Sequence, residues 1–445
     1  MGPPWKAGLR DPRYWGTMPR VLLLATTTGY QTRAFGEAAE RLGVDLVFAT
    51  DRCNVLDDPW QDAALAIRFQ HERESIAAIA KAAVAKPIDG VLAVGDRPSI
   101  IAAATCETLQ LPWHGVDGVT IARSKLLTRQ RLADAGLLVP WFREIHIADD
   151  PRTLLPLQFP CVVKPIALTG SRGVIRVDDE PSLVAAFNRL RSLMKAPDIR
   201  GERTDLHDTA IVEGFIEGRE FALEGLMTAG RLRTLAIFDK PDPLDGPFFE
   251  ETIYVTPSME PTSVQSAIID AIAAAVAALG LRHGPIHAEC RVNPTGVYVL
   301  EVAARPIGGL CARVLRFEDG IEEVAGAAIS FEELMLRHAI GQNVAHYRRE
   351  HAASAVMMIP IPRRGVLRSV IGLDRARAVP DVEDIRITAK PDQVLIPLPE
   401  GASYLGFIFA RAPEPAAAVD AVRRAHDRLV FDIEPELRVL QSVHG

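Results

Sequence analysis

The stretch HAECRVNPTGVYVLEVAARPIGG, His287–Gly309, decides how this chain is read. Ile286, Ala288, Cys290 and Val292 alternate with His287, Glu289 and Arg291, the pattern of a strand with one apolar and one polar face. Val297-Tyr298-Val299-Leu300 is rich in β-formers and predicts a second strand. Asn293-Pro294-Thr295-Gly296 between them is turn chemistry, Pro presetting φ and Gly supplying φ > 0. A three-residue loop, Pro294-Thr295-Gly296, pairs Asn293 with Val297 and sets Glu289 opposite Glu301, with Cβ atoms roughly 5 Å apart. Two carboxylates that close repel, and one stays protonated unless a cation lies between them. With positions left open for phosphate oxygens, such a pair suits Mg²⁺. Arg305 falls on the face of Glu301, beside a Gly308-Gly309 turn able to open onto a ligand. The competing reading is an ordinary hairpin with solvated charges, and the rest of the chain decides between them.

The 445 residues suffice for two to four domains with large cores. A composition 48% hydrophobic and 24% charged is that of a soluble globular enzyme. The net charge of −7, without a long basic run, argues against a nucleic-acid partner. Cys53, Cys106, Cys161, Cys290 and Cys311 stand far apart with no CxxC pair, which fits reduced thiols in the cytoplasm better than a disulfide framework or a zinc site. No membrane span is expected: the most apolar run, Ala267–Leu279, is too short and carries Asp270. It predicts a buried helix, started by Pro261-Thr262-Ser263 and stopped at Gly280. The residues before Met18 have no apolar core of the signal-peptide kind and are expected to be a dispensable tail.

Val21–Ala25 is a continuous apolar run, the pattern of a buried parallel strand. A loop, a helix over Gln31–Leu42 and a strand over Asp45–Thr50 complete a βαβ unit. A helix over Ser75–Ala85 and a strand over Gly90–Val94 extend it into a small α/β layer domain. The GxGxxG fingerprint is absent after the first strand, which removes a nicotinamide or flavin site there. Thr28, Tyr30, Asp96 and Arg97 in its loops either line a substrate cleft or merely close turns.

Ser124–Ala135 predicts a helix with Lys125 in its first turn. Phe159–Pro165 predicts a strand carrying Lys164, and a cation in an apolar strand is costly unless paired or aimed at an anion. The loop that follows, Ala167–Val174, holds Gly170, Ser171, Arg172 and Gly173, whose N–H groups are able to wrap phosphate oxygens, although it is not the GxxxxGK[ST] P-loop. After a polar, mostly helical excursion comes a strand over 210–212, the turn Glu213-Gly214-Phe215-Ile216-Glu217-Gly218, and a strand opened by Glu220. Asp239-Lys240-Pro241 and Phe248-Phe249-Glu250-Glu251 flank a Pro/Gly-rich loop, a candidate lid. From Ala355 short strands return at 356–359, 366–371, 394–396 and 404–410, closed by a helix over Pro415–Leu429, with no cluster that reads as chemical.

In this order (helix Lys, strand Lys, Gly-rich loop, E-G-F-I-E-G turn, Glu-bearing strand, Glu…Glu hairpin) the chain resembles the ATP-grasp superfamily over roughly residues 1–340, most closely the carboxylate–amine ligases that join amino acids into dipeptides. The resemblance implies an α/β and α+β fold. A tail over 1–18 would precede a Rossmann-like α/β domain over 19–118. An ATP-grasp domain over 119–340, with its lid at about 125–210, and a smaller α+β domain over 341–445 would follow.

It also implies roles. Lys125 and Lys164 would hold the phosphates of ATP, and Ser171, Arg172 and Gly173 would belong to the loop that closes over them. Glu213, Gly214, Phe215 and Ile216 would bond adenine through backbone groups and the acidic side chain, and Glu220 would take the ribose hydroxyls. Glu289 and Glu301 would bind Mg²⁺, as one ion or two, with Mn²⁺ able to replace it. Arg305 would face an acylphosphate or a substrate carboxylate, and Glu251 and His287 would grip the substrate amine or order the metal site.

One departure stands out. Many ATP-grasp enzymes carry Asn two residues after the second metal Glu, where this chain has Ala303, which offers no oxygen. The implied activity is ATP-dependent joining of a carboxylate to an amine, both small molecules of amino-acid type, in a cytoplasmic homodimer. A carboxylase, a kinase or a non-catalytic nucleotide binder are the alternatives. Phe248-Phe249 hints at an apolar side-chain pocket.

Overall fold

The computed structural model describes residues 18–26, 31–51, 64–202, 204–320 and 328–436. The tail before Met18, Thr28, Tyr30 and Cys53 lie outside the described residues. The apolar run Arg20–Ala25 forms one of the two inner strands of a parallel sheet ordered Leu65–Ala66, Asp45–Thr50, Arg20–Ala25, Gly90–Val94. Helix Thr32–Leu42 ends where Gly43 takes φ 63°, and its buried Phe35, Ala38 and Ala39 join that sheet's core. The strand Gly90–Val94 runs through Gly95 into helix Asp96–Leu109, whose first residue points toward the middle of the molecule.

Two further sheets form the walls of a cleft. The smaller is antiparallel, ordered Phe142–His146, Thr209–Gly214, Cys161–Pro165, Ile175–Val177, and is covered by helix Glu180–Leu193 through Leu183, Phe187 and Leu190. The larger has eight strands, ordered Gly296–Ala303, Gly284–Asn293, Arg219–Thr228, Arg231–Asp239, Ile253–Thr256, Ala353–Ile359, Gly406–Ala412, Val382–Ile387. Strands from the C-terminal hundred residues therefore continue the sheet that holds the hairpin instead of forming only a sheet of their own. A separate small sheet, Val394–Leu395, Gly365–Ile371, Val430–Glu434, and helix Pro415–His426 complete that end.

Helix Thr262–Leu279 begins at the expected Pro-Thr-Ser and stops at Gly280, φ 76°. It is not buried all round. Ile268, Ile272, Ala275, Val276 and Leu279 pack inward, while Ala267, Asp270, Ala274 and Ala277 are exposed, since a helix on the flank of a sheet has one face to bury. It is, among the described residues, the one helix long and apolar enough to cross a membrane by length and composition.

Candidate active site

The hairpin forms with a tighter turn than expected. Asn293 pairs with Gly296 across the two-residue loop Pro294-Thr295, and the Asn293 side chain accepts from the Thr295 N–H at 2.9 Å. That register alone would put Glu289 opposite Leu300 and send the two carboxylates to different faces. A bulge intervenes: Cys290 pairs with Val299, Glu289 with Glu301, and Leu300 is the extra residue. The expected pair is made, by a route the turn chemistry did not disclose.

Antiparallel pairing then sets out a polar face across neighbouring strands. His287 lies opposite Glu224 and Ala303, and Arg291 opposite Glu220. Lys240 follows the strand Arg231–Asp239 and closes on Glu220 through its backbone, its N–H donating to the Glu220 carbonyl at 3.3 Å. Its ammonium is the hub of the site. It donates to Glu220 at 2.8 Å, Glu251 at 2.5 Å and Glu289 at 3.1 Å, with the Tyr254 ring centroid 4.9 Å away. Only 3% of the Lys240 side chain is exposed. Tyr254 donates its hydroxyl to Glu289 at 3.2 Å. Oxygens of Glu220, Glu251 and Glu289 lie within 4.8 Å of one another.

Burial pushes Glu289, Glu251 and His287 toward their neutral forms, and their neighbours then separate them. Burial raises the Glu289 carboxyl, but Lys240 and His287 outweigh it and hold the group well below the ordinary carboxylate range. Burial and the charge of Glu289 push Glu251 up to about 7 against the pull of Lys240. Burial lowers His287, but Glu224, whose carboxylate lies 2.5 Å from Nδ1, raises it to about 9 with help from Glu289. Glu224 is fully buried and also accepts from the Ile307 N–H at 3.3 Å, which ties His287 to the turn after Arg305.

The opposite wall supplies cations. Ser124 caps helix Lys125–Asp134 by accepting from the Leu127 N–H, which fixes Lys125 at the helix start. Its ammonium donates to the Leu168 carbonyl at 2.5 Å and lies 3.6 Å from Glu301 across the cleft. Lys164 sits 2.5 Å from Glu213, which also receives two hydrogen bonds from Arg129, at 2.7 and 3.2 Å. Burial would raise the Glu213 carboxyl; Arg129 and Lys164 more than offset it and hold it at about 2. Glu213 lines the cleft beside Gly214, Phe215 and Ile216, with its carboxylate engaged by two internal cations, Arg129 and Lys164. Glu220, expected to take ribose hydroxyls, is engaged by Lys240 and by Arg291 Nε at 2.8 Å.

The cleft, about 300 Å³, is lined by Lys125, Lys164, Ser171, Glu213, Gly214, Phe215, Ile216, Glu220, Glu251, His287, Glu289, Glu301 and Arg305. Two expected residues are not among those that line it. Arg172 turns away, its guanidinium 2.5 Å from Asp198 and 2.9 Å from the Glu400 carbonyl. Gly173, φ 74°, gives its N–H to Pro399 at 2.8 Å and underlies Leu190 and Pro165, so tight that a Cβ would meet both at 3.0 Å. The loop is pinned on this side by the C-terminal segment, a contact between residues more than 200 apart. Arg305 holds Asp96 through two hydrogen bonds, at 3.1 and 3.0 Å, closing the cleft with the N-terminal sheet's helix. Arg97, the other N-terminal loop candidate, lies 3.9 Å from Glu202 and does not line the cleft.

Phe249 packs with Phe215, Val162, Val174 and Leu244 at the Lys164 end, and Phe248 lies outside under the Arg189 guanidinium, 4.9 Å from its ring. The two rings thus do not share one pocket; Phe249 with Phe215 builds a flat apolar slot beside the Glu213–Ile216 turn. Lys240, Glu224 and Arg129 were missed by the sequence reading. The only available signal was the placement of a Lys and a Glu in runs otherwise apolar.

The donor set fits a hard divalent cation. Glu289 and Glu301 face each other on adjacent strands, further carboxylate oxygens stand beside Glu289, and both His287 nitrogens already face carboxylates, while burial pushes the Cys311 thiol that also lines the cleft well up, away from the thiolate a metal would need. Ala303, which stands where many members of the resembled superfamily carry Asn, is buried opposite His287.

Sequence profiles of three domains match in order: the ATP-grasp N-terminal domain over residues 36–113, the ATP-grasp domain over 157–314, and L-amino acid ligase C-terminal domain 2 over 357–434. The crystal structure of an L-amino acid ligase from Bacillus licheniformis superimposes with a TM-score of 0.79 at 26% identity, covering 94% of this chain and 99% of that one. Alanine–anticapsin ligase of Bacillus subtilis is 26% identical over 53% of this chain, a match that spans 52% of the ligase. An uncharacterised protein of Sinorhizobium fredii, y4rH, is 23% identical over 94% of this chain and 84% of its own length.

Proposed function

The chain belongs to the ATP-grasp superfamily as an ATP-dependent ligase that forms C–N bonds, and from that premise we propose that it joins two amino-acid-like molecules, a carboxylate and an amine, through an acylphosphate. The observation that carries this reading is the meeting of Lys125 and Glu301, 3.6 Å apart across the cleft, beside the Glu220–Glu251–Glu289 cluster. Cations suited to phosphates and oxygens suited to a metal occupy one place.

In this reading the apolar slot of Phe215 and Phe249 takes the adenine, whose edge bonds the backbone of Gly214–Ile216. Lys125 and Lys164 neutralise phosphate oxygens. Lys164 reaches them by leaving Glu213 to Arg129, which already holds that carboxylate with two hydrogen bonds. Glu289 and Glu301 would hold Mg²⁺, which spreads the charge of the transferring phosphoryl group. A substrate carboxylate oxygen attacks the γ-phosphorus, the bond to the β-phosphate oxygen breaks, and ADP departs. The amine nitrogen then attacks the acyl carbon, sheds its proton, and phosphate leaves with the C–O electron pair. Arg305 orients the carboxylate with the donors left over from Asp96 and the Pro306 carbonyl. The Gly170–Ser171 loop and the loop ending at Phe249 exclude water, which an acylphosphate requires. The described cysteines Cys106, Cys161, Cys290 and Cys311 are free and buried, which supports work in the cytoplasm.

The test is phosphate release from Mg-ATP over a grid of paired amino acids and simple amines, with mass spectrometry of every hit. Phosphate that appears only with acid and amine together, with a product of their summed mass less water, is the expected result. Phosphate without a condensed product would overturn it in favour of carboxylation or a kinase.

A further inference from the structure

The charges around the cleft are segregated along the chain. Among the described residues, every charged side chain that lines it, from Lys125 to Arg305, precedes residue 306. The C-terminal strands and the loop between them contribute Met358, Ala402, Ser403, Tyr404 and Phe407, all uncharged. Three of these make a continuous wall. Met358 and Phe407 are register partners on adjacent antiparallel strands, so their side chains share a face. The Tyr404 ring packs 6.2 Å from Phe407. The wall reaches both reactive groups of the cleft. Phe407 lies against the turn that follows Arg305, so close that a Cβ on Gly309 would come within 3.1 Å of its ring. Met358 donates its N–H to the Thr252 carbonyl at 2.7 Å, which puts it beside Glu251.

We propose that Met358, Tyr404 and Phe407 form the pocket for the side chain of an amino-acid substrate, and that this side chain is uncharged and apolar. The inference rests on the ligase reading and goes past it. An amino acid with its carboxylate toward Arg305 and its ammonium toward Glu251 has its side chain directed at this wall. An aliphatic or aromatic side chain gains by leaving water there. A carboxylate or ammonium finds no counter-charge on the wall and pays for desolvation unrepaid. Of Phe248-Phe249, where an apolar side-chain pocket was expected, Phe249 belongs to the Lys164 end and Phe248 does not line the cleft.

The experiment scores amide formation by mass with each of the twenty amino acids, paired with itself and with alanine. It uses the full chain and its Tyr404→Phe, Tyr404→Ala and Tyr404→Arg variants. Leu, Met and Phe are expected to exceed Asp, Glu and Lys at this position by about 100-fold or more in kcat/KM. Tyr404→Phe retains that order. Tyr404→Ala raises KM for the apolar substrates with kcat nearly unchanged. Tyr404→Arg gains turnover of Glu by about 10-fold or more, a gain that misfolding cannot produce. Amides from charged and apolar side chains alike, or an order unmoved by Tyr404→Arg, overturn the pocket and leave the ligase reading standing. No amide with any pair removes the ligase reading itself, and the pocket with it.

Discussion

Lys240→Met should destabilise the chain, and the loss should be recovered by a divalent cation. The ammonium is 3% exposed and donates to three carboxylates at 2.5–3.1 Å, so the substitution leaves Glu220, Glu251 and Glu289 facing one another with their oxygens within 4.8 Å. At that separation and an effective dielectric of 20, each ionised pair repels by about 3.5 kcal/mol. The three will not all stay charged. Keeping one carboxyl protonated at pH 7.5 costs about 4 kcal/mol, because each unit of pKa is worth 1.36 kcal/mol. This caps the loss near the 3–5 kcal/mol typical of removing one partner from a buried ion pair. For a cooperative unit of about 150–250 residues that corresponds to a midpoint lowered by roughly 6–20 °C. The assay is thermal unfolding in EDTA and again with millimolar Mg²⁺, parent and variant side by side. The variant should fall in EDTA and recover a large part of the deficit with Mg²⁺, since the same oxygens then face a cation again. A midpoint within about 2 °C of the parent in EDTA would refute the hub role of Lys240. A deficit that Mg²⁺ leaves untouched would refute the assignment of these oxygens to a metal.

Glu301→Gln should lower ADP formation by at least about 100-fold while moving the melting midpoint by only a few degrees, because Glu301 is partly exposed and its ionic partner among the described residues is Lys125 at 3.6 Å; a coupled-enzyme assay and a melt on the same sample check both. His114 and His283 are depressed to about 4 and His338 to about 3, chiefly by burial, so all three are neutral in the fold while the unfolded chain binds protons below about pH 6.5. Stability is therefore lost as pH falls from about 6.5 toward 4, by about 2 kcal/mol per histidine at pH 5, and urea titrations at pH 7 and 5 should show it, with a smaller difference in His114→Gln. Arg189 and Glu400 latch the Gly-rich loop's cover to the C-terminal segment with hydrogen bonds of 2.7 and 3.0 Å, but both are partly exposed, so the latch is worth at most about 1 kcal/mol. Arg189→Glu should raise phosphate release in the absence of amine by up to about 5-fold, and the swap Arg189→Glu with Glu400→Arg should return it toward the parent.

What the sequence disclosed and what it withheld divide along one physical line. Features set by neighbours in the chain were legible. The strand Asp45–Thr50 stands at its expected limits, and the helix after Ser124 starts at its cap. The polar face of the hairpin was legible too, because a period of two is a local property. The turn was read one residue too long, yet Glu289 still meets Glu301, since a bulge at Leu300 offsets the shorter loop. Such a bulge has no side-chain signature here; it is imposed by the need to keep Val299 and Val302 in the core while both carboxylates face the cleft.

Features set by partners far apart in the chain were not legible. Lys240 reads as part of a loop until the strand Arg231–Asp239 returns on Arg219–Thr228 with its own register shift between Thr234 and Ala236, which brings residue 240 level with Glu220. The Tyr404 wall reads as a featureless C-terminal strand until Ala353–Ile359 joins Ile253–Thr256 and continues the catalytic sheet. The same reasoning explains why the partners of Glu213 were not foreseen. A lone acidic residue before a turn is exposed by default, and nothing near it in sequence announces that Arg129, 84 residues earlier, and Lys164 converge on it. A buried acid with two cationic partners is held from both sides. An acid on a cleft wall whose ionic partner among the described residues is 3.6 Å away, as Glu301 is, has capacity left for another ligand, and the proposed metal role of Glu301 rests on that difference in saturation.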